Sequence, residues 1–240
     1  NKDKSKISKR KNPTSIMYYE KTGILPEAML NFLGLMSYSA KEDEEKFSLA
    51  EMLETFDISR VKLGGPVFDL EKLNWLNGLY IREMDLEVLT DTILQRCFSR
   101  EYIREIAPLI QERIDKFNEF IPKSGFFFDG AMEYDSGLLV GKKMTAADMV
   151  PIFNELIEDL DKLIVWNTEN IEGTLREFGE RKELKARAYF MPVRIAITGR
   201  KASPPLFETM EAIGKPLCQQ RMREALTRLK VLKKQESKKK

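Results

Sequence analysis

The 240-residue sequence contains no histidine and only two cysteines. The absence of histidine excludes Ser-His-Asp triads, histidine general bases and imidazole zinc ligands. Cys97 and Cys218 lie far apart and form no Cys-x-x-Cys pair, which leaves no metal framework and argues against a disulfide scaffold. Free cysteines are typical of a reducing compartment, so the sequence predicts a cytoplasmic protein.

Long apolar runs and secretion signals are also missing. No run approaches the ~18 residues that a membrane span needs, and no signal-peptide pattern is present. The sequence therefore predicts no membrane partner. The first residue is Asn1 rather than Met, from which we expect that the chain was cut from a longer one.

The charge is nearly balanced, at +2, but it is segregated along the chain. Residues 1–12 and residues 230–240 each carry six basic side chains and one acidic side chain, which leaves −8 for residues 13–229. A negatively charged body argues against a broad nonspecific nucleic-acid surface. Any RNA contact should therefore depend on a few placed arginines and lysines, and the C-terminal lysines are interpreted as a solvated tail.

Apolar residues recur with the period of an α-helix through most of the chain, whereas strand signals are thin. Ser48 with Glu51 forms a capping box, Asp69 can cap another helix, and Pro151 fits a first turn better than a helix interior. Short extended pieces are expected only near residues 61–68. The fold class is thus predicted as mainly all-α with minor short strands. The stripes include Met29, Phe32, Leu33, Met36; Leu49, Met52, Leu53, Phe56; Leu86, Leu89, Ile93, Cys97; Ile103, Ile106, Ile110, Ile114, Phe117; Phe153, Ile157, Leu160, Ile164; and Ile171, Leu175, Phe178.

Two breaks divide this helical pattern. One lies near residues 80–85 and the other is the glycine-rich stretch 124–143. The sequence therefore predicts three units, at residues 1–83, 84–143 and 144–240. The last pair of helices is expected to run from about Pro205 to Ile213 and from about Pro216 to Leu229.

Two segments are similar to known kinds of ligand site, a phosphate loop and a base-stacking platform. In both, the residues favour a different interpretation. Gly137-Leu-Leu-Val-Gly141-Lys142-Lys143 is similar to a phosphate loop, but the glycine spacing is one residue short and Lys143 replaces the Ser or Thr that binds magnesium. The triplet Phe126–Phe128 could stack unpaired bases. Burial of aromatic rings favours a core position for it instead, and the same holds for Trp75 and Trp166.

The strongest signal is the basic segment Lys6-Ile7-Ser8-Lys9-Arg10 and the motifs that follow it. Such a loop can place ammonium groups where charge develops on a leaving pyrophosphate, although alone it reads as part of a basic tail. The later motifs are Leu25-Pro-Glu-Ala-Met-Leu-Asn-Phe-Leu-Gly-Leu, Phe47-Ser-Leu, Leu63-Gly-Gly-Pro-Val-Phe-Asp-Leu and Arg194-Ile-Ala-Ile-Thr-Gly, with Pro204-Pro205 and Ile213-Gly-Lys after it. Their order and spacing resemble the second half of a bacterial-type glutamyl-tRNA synthetase, and Lys6–Arg10 resembles that family's form of the class I "KMSKS" loop.

This resemblance covers nearly the whole chain and implies the anticodon-recognising C-terminal portion of a glutamate–tRNA ligase. In the intact enzyme it implies activation of glutamate with ATP and Mg²⁺ and transfer to tRNA(Glu). Lys9 would stabilise the pyrophosphate with Lys6 in support, and Ser8 and Arg10 would complete the ATP-binding loop. Residues 1–83 would hold this loop and a stem-contact region, and residues 84–143 and 144–240 two helical anticodon-binding subdomains.

The sequence contains neither the "HIGH"-type motif nor the Rossmann pattern of such an enzyme. The resemblance therefore implies a fragment that is inactive alone. Its expected partners are tRNA(Glu) and the catalytic domain of the same chain, it is expected to be a monomer, and no bound cofactor is expected on it.

Arg113 aligns with the family position where an arginine reads the last anticodon base and separates glutamate from glutamine tRNAs. Its own surroundings, between Ile110 and Ile114, equally describe an exposed helical arginine. Arg194 is expected to be structural, as a helix cap or in a buried pair. Two alternatives stay open, namely a non-catalytic all-helical interaction module and a non-discriminating ligase that also charges tRNA(Gln).

Overall fold

A computed structural model describes residues 14–38, 45–62 and 64–238 of the chain. These residues form α-helices and short 3-10 helices and contain no β-strand, which confirms the all-α fold class. None of the helices in these ranges is long and apolar enough to cross a membrane. Lys6, Ser8, Lys9 and Arg10, the predicted ATP-loop residues, lie outside the described residues.

The chain divides into two compact units, residues 1–98 and residues 99–240. This boundary falls between the two breaks expected from the sequence, and the assignment of three functional domains stays a prediction. In the described part of the first unit the α-helices are α1 Ile16–Lys21, α2 Pro26–Ser37, α3 Leu49–Thr55, α4 Leu70–Arg82 and α5 Leu86–Arg96. In the described part of the second unit they are α6 Arg100–Gln111, α7 Phe120–Ser124, α8 Ala146–Lys162, α9 Thr168–Arg181, α10 Ala186–Thr198, α11 Leu206–Ile213 and α12 Lys215–Lys238.

The core of the first unit lies between α2 and α4. Phe32 from α2 and Leu73 and Leu76 from α4 are buried together, and the ring of Phe32 meets that of Phe68 edge-on at 5.1 Å. Asn77 is buried beside them, and its Oδ1 accepts a 2.8 Å hydrogen bond from the backbone N–H of Leu25. This bond satisfies a donor at the start of α2, where helices leave their first N–H groups unpaired.

A second buried amide, Asn31, fixes the segment that leads into α3. Its Oδ1 accepts hydrogen bonds from the N–H of Phe47 at 3.1 Å and from the hydroxyl of Tyr80 at 3.0 Å, while its Nδ2 donates to the carbonyl of Glu45 at 3.0 Å. A buried polar side chain with this many partners specifies one arrangement of the elements that it joins.

Two predicted helix starts are confirmed. Ser48 Oγ accepts from the N–H of Glu51 at 3.1 Å and Glu51 Oε2 accepts from the N–H of Ser48 at 2.8 Å, which is the complete capping box. Asp69 Oδ1 accepts from the N–H of Glu71 at 2.9 Å at the start of α4.

The short strands expected near residues 61–68 do not form among the residues described there. Val61 has extended dihedral angles, and Lys62 donates its N–H to the carbonyl of Ser37 at 2.8 Å. This single bond does not develop into a ladder, because Gly64-Gly65-Pro66 follows and proline has no N–H to donate.

The second unit is organised by the antiparallel pairing of α8 and α12. At one end Lys215 Nζ donates to the carbonyl of Asp161 at 3.0 Å, and at the other the N–H of Ala146 donates to Glu236 Oε2 at 3.3 Å. Phe126 and Phe127 are only 1% and 3% exposed, which confirms the core interpretation for these two rings.

Arg221 from α12 crosses this core and is 1% exposed. Its guanidinium donates to the carbonyl oxygens of Ile197 at 2.6 Å and Phe126 at 2.8 Å, and to that of Asp129. Burial lowers the pKa of Arg221. The three carbonyl partners compensate for the burial of the charge and join the end of α10 to the loop around Phe126.

Three sequence expectations about this architecture are wrong. Trp75 is 45% exposed, because it lies on the outer side of α4 under the ammonium group of Lys72, whereas Trp166 is half-buried and donates to the carbonyl of Met210 at 2.9 Å. Pro151 lies inside α8, because Thr145 begins the helix more than a turn earlier. Finally, α12 does not end near Leu229.

The described part of the C-terminal basic segment, residues 230–238, is the last part of α12 rather than a tail. The helix continues to Lys238. Leu232 is half-buried and Glu236 contacts the start of α8, so this stretch keeps a face that packs. Its lysines are nevertheless exposed, as expected of a solvated segment.

Candidate nucleic-acid interface

Arg113 lies in the turn that follows α6. Ile106 and Ile110 bury one face of this helix, and α6 ends at Gln111. The backbone N–H of Arg113 donates to the carbonyl of Ile110 at 2.8 Å, which closes the turn and leaves the Arg113 side chain exposed. The guanidinium is therefore positioned by a packed helix and is accessible to a ligand.

Arg194 on α10 is half-buried and holds the loop before α11. Its Nη1 donates to the carbonyl of Pro204 at 2.6 Å and to the hydroxyl of Ser203. Both partners belong to the Ser203–Pro205 segment that leads into α11. This position agrees with the structural role expected for Arg194.

The charges of Arg194 and Arg113 also interact in the structure, which the sequence did not predict. Burial lowers the pKa of Arg194, the charge of Arg113 lowers it further, and the carboxylate of Glu208 on α11 raises it. Two guanidinium groups and one carboxylate from three helical segments therefore share one electrostatic environment. Arg194 keeps its positive charge despite this shift, since the pKa of an arginine lies far above neutrality.

Glu208 adds an acceptor to this cluster. Its Oε2 is buried and has no hydrogen-bond partner within the described part of the chain. Leaving a buried acceptor unpaired costs about 1 to 3 kcal/mol, and more for a charged group. A ligand N–H that reached this oxygen would remove the cost.

Phe117 is 93% exposed, four residues beyond Arg113. The apolar stripe from Ile103 to Phe117 predicted that its ring faces the core, but α6 ends six residues earlier and Phe117 opens the separate 3-10 helix Phe117–Glu119. An exposed aromatic ring four residues from an exposed arginine offers groups that can stack on and hydrogen-bond unpaired bases. The sequence pattern does not show that α6 ends before Phe117, and it therefore does not predict the exposure of this ring.

No metal or redox site is found among the described residues. None of their histidine, cysteine, aspartate and glutamate side chains form a group of three or more that could hold a metal ion. Cys97 is exposed and Cys218 is buried, and no disulfide joins them. Arg113, Arg194, Glu208 and Phe117 offer a ligand hydrogen-bond donors, one acceptor and an aromatic surface.

Comparisons with known proteins agree with a nucleic-acid interface in the second unit. Residues 73–226 match the family model described as an anticodon binding domain, and residues 1–75 match the model described as the catalytic domain of class I tRNA synthetases for E and Q. The segment that includes Lys6–Arg10 therefore belongs in sequence to the catalytic-domain family, although only a part of that domain is covered. A plain helical interaction module is not favoured by these matches.

Relatives are similar over almost the whole chain. A glutamate–tRNA ligase of Pseudomonas putida (strain W619) is 43% identical over 238 residues, which are 99% of this chain and 48% of that protein. That of Ectopseudomonas mendocina (strain ymp) is 44% identical with the same coverage. A crystal structure of a glutamate tRNA ligase from Elizabethkingia meningosepticum matches with a TM-score of 0.49 and 25% identity, over 93% of this chain and 49% of that one.

The chain spans about half the length of the curated relatives that it matches. Within that span the anticodon-binding match includes every residue of the cluster around Arg113. The chain belongs to the anticodon-binding domain family, whose model matches residues 73–226, and over almost its whole length it is similar to about half the length of known glutamate–tRNA ligases.

Proposed function

We propose that this chain is the anticodon-recognising portion of a glutamate–tRNA ligase, and that its RNA partner is tRNA(Glu). The intact enzyme would activate glutamate with ATP in the presence of Mg²⁺ and transfer it to the tRNA. With its two free cysteines the chain suits the reducing cytoplasm, and it would act there as a monomer.

The observation that carries the proposal is the exposed Arg113 guanidinium beside Arg194 and Glu208. Anticodon bases are single-stranded, so a protein reads them by stacking and by hydrogen bonds to their edges. In the proposal Arg113 donates to the last anticodon base, Phe117 stacks against a neighbouring base, and Arg194 positions the loop beside them.

The basic loop would supply the catalytic chemistry of the intact enzyme. Lys9 would stabilise the pyrophosphate as its charge develops, Lys6 would support it, and Ser8 and Arg10 would help to hold ATP. An interaction made only in the transition state changes kcat rather than KM. In the intact enzyme Lys9→Ala should therefore slow glutamate-dependent pyrophosphate exchange, and a change confined to the ATP KM would reject the role.

Residues 1–240 alone would not activate glutamate, because the histidine-containing signature of the family is not among them. Detectable glutamate-dependent pyrophosphate exchange by these residues would contradict this part of the proposal.

Anticodon recognition is tested with Arg113→Gln in a direct binding assay against tRNA(Glu) and a transcript carrying the glutamine anticodon. Arg104→Gln is the matched control, since Arg104 is also an exposed arginine and lies on α6 itself. Arg113→Gln should reduce discrimination between the two transcripts by about 1 to 3 kcal/mol, roughly 5- to 150-fold in relative affinity. Arg104→Gln should leave the ratio unchanged.

Each alternative gives a different result. Equal affinity of the unaltered chain for both transcripts would indicate a non-discriminating ligase. Discrimination that survives Arg113→Gln would assign base reading to another residue. No binding to either transcript at low salt would reject the proposed function as a whole.

A further inference from the structure

A basic surface lies on the second unit where α8 begins. It is formed by two lysines of the turn before α8 and by four lysines of the last part of α12, and all six side chains are exposed. The six are Lys142, Lys143, Lys230, Lys233, Lys234 and Lys238. The turn belongs to the segment whose glycine and lysine pattern is similar to a phosphate loop without matching it.

The contact between Ala146 and Glu236 brings the two groups together. The N–H of Ala146, the first residue of α8, donates to Glu236 Oε2 at 3.3 Å. Lys142 and Lys143 lie within four residues of Ala146, and Lys233 lies one helical turn before Glu236. Lys233 therefore lies near the turn that carries Lys142 and Lys143, although about 90 residues separate it from them in the sequence.

The turn itself is held in a strained conformation. Lys143 has a φ of +64°, in the left-handed region that costs a non-glycine residue about 1 to 3 kcal/mol. Gly141 fixes the turn against α10, since a Cβ at this position would lie 2.3 Å from the carbonyl oxygen of Ala188.

The charge of this surface is not neutralised by the protein. None of the six lysines forms an ion pair with another described residue, whereas exposed basic residues elsewhere on α8 and α9 are paired, as in Lys162–Asp159 and Lys182–Glu155. Two carboxylates, those of Asp148 and Glu236, accept hydrogen bonds from backbone N–H groups at the start of α8. Asp148 Oδ2 accepts from the N–H of Thr145 at 2.8 Å, and Glu236 accepts from Ala146.

We infer that this basic surface is a second RNA contact, which binds phosphates of the tRNA backbone and reads no base. The inference rests on the proposed function and extends it from the anticodon to the backbone. Ammonium groups on a fixed turn and on one side of a helix can neutralise neighbouring phosphates, but they lack the planar donor geometry that distinguishes bases. The surface would therefore add affinity without specificity.

The test is the salt dependence of tRNA(Glu) binding by the chain with Lys142→Gln and Lys143→Gln. A plot of log K for binding against log salt concentration has a negative slope, and each lost phosphate contact makes it shallower by about 0.7 to 0.9. The magnitude of the slope should therefore decrease by about 1.5 in this variant. The matched control is Lys162→Gln with Lys182→Gln, which removes the same charge from paired lysines and should leave the slope within error. Thermal unfolding of both variants checks that they fold.

The outcomes separate this inference from the proposed function. Discrimination between the glutamate and glutamine anticodons should stay unchanged in the Lys142/Lys143 variant. Binding by the unaltered chain with equal slopes for all three proteins would overturn the inference alone. An unchanged slope together with lost binding to phosphatidylserine vesicles would assign the surface to a membrane and overturn it too. Absence of any binding by the unaltered chain would overturn both.

Discussion

The helices of the two units differ in how much of their apolar surface is covered. In the second unit, α9 buries Leu175 and Phe178 completely. In the first unit, α3 and α5 contain no buried residue, and Leu53 and Leu86 are 69% and 71% exposed. All of these residues belong to stripes with the same helical spacing.

This difference shows that forming a helix and burying its apolar side are separate properties, although the same apolar pattern suggests both. A period of 3.6 residues indicates a helix and the direction of its apolar side, because side chains three and four residues apart share a face. Whether that side is covered depends on which element packs there, and a short helix takes most of its stability from such packing. The seven-residue α3 has its capping box but no fully buried residue, and its Met52 packs, partly buried, against Tyr38 and Phe47.

The largest expected effect compares a covered leucine with an exposed one. Leu175→Ala should lower the free energy of unfolding by about 2 to 5 kcal/mol, because it removes buried methyl groups and leaves a cavity. Leu53→Ala should change it by less than about 0.5 kcal/mol. Urea unfolding followed by circular dichroism measures both, and equal losses would show that α3 is covered in solution.

A glycine pair gives the next largest effect. Gly141→Ala should destabilise the second unit by about 1 to 3 kcal/mol, since the new Cβ meets the backbone carbonyl of Ala188. Gly65→Ala in the first unit has no atom within 4 Å of the new Cβ, and should be neutral or stabilise by about 0.4 to 1 kcal/mol through the unfolded state. Thermal unfolding of the two variants provides the measurement, and a stable Gly141→Ala protein would mean that the turn can move.

The smallest effect is a dependence on alkaline pH. Burial raises the pKa of Tyr19 in the first unit and of Tyr134 in the second to about 12, and raises that of Tyr102 in the second further. Between pH 10 and 12 the unfolded chain loses these protons first, so the free energy of unfolding falls as the pH rises.

The second unit, with two strongly shifted tyrosines, should therefore lose more stability than the first between pH 8 and pH 11. Tyr134→Phe should remove about 1 kcal/mol of the loss in the second unit, and Tyr19→Phe about 1 kcal/mol of the loss in the first unit. Unfolding of the variants at the two pH values measures it, and a loss that persists in both variants would assign the dependence to other groups.

Much of the fold was accessible from the sequence because it depends on local chemistry. Ser48 and Asp69 were identified as caps because their side chains can accept hydrogen bonds from nearby backbone N–H groups. The end of α11 was marked by Gly214, which has a φ of +89°. The exposure of Trp75 and the extension of α12 beyond Leu229 were not accessible, because both depend on contacts with residues distant in the sequence.

The candidate site shows the same division. Arg113 was identified through the family resemblance, and the structure locates it in an exposed turn. Its grouping with Arg194 and Glu208 joins residues up to 95 positions apart, and no local pattern reports such a distance. The prediction that Phe117 is buried is wrong because the apolar spacing continues past Gln111, where α6 ends.

The pairing of α8 with α12 also has a consequence for the order in which the protein is made. Ala146 leaves the ribosome 90 residues before Glu236, the residue that meets its N–H. At about 5 to 20 residues per second, this interval lasts on the order of 5 to 20 s. Throughout it, the apolar side of α8 is synthesised without its partner helix, so the second unit closes only after translation has passed residue 236.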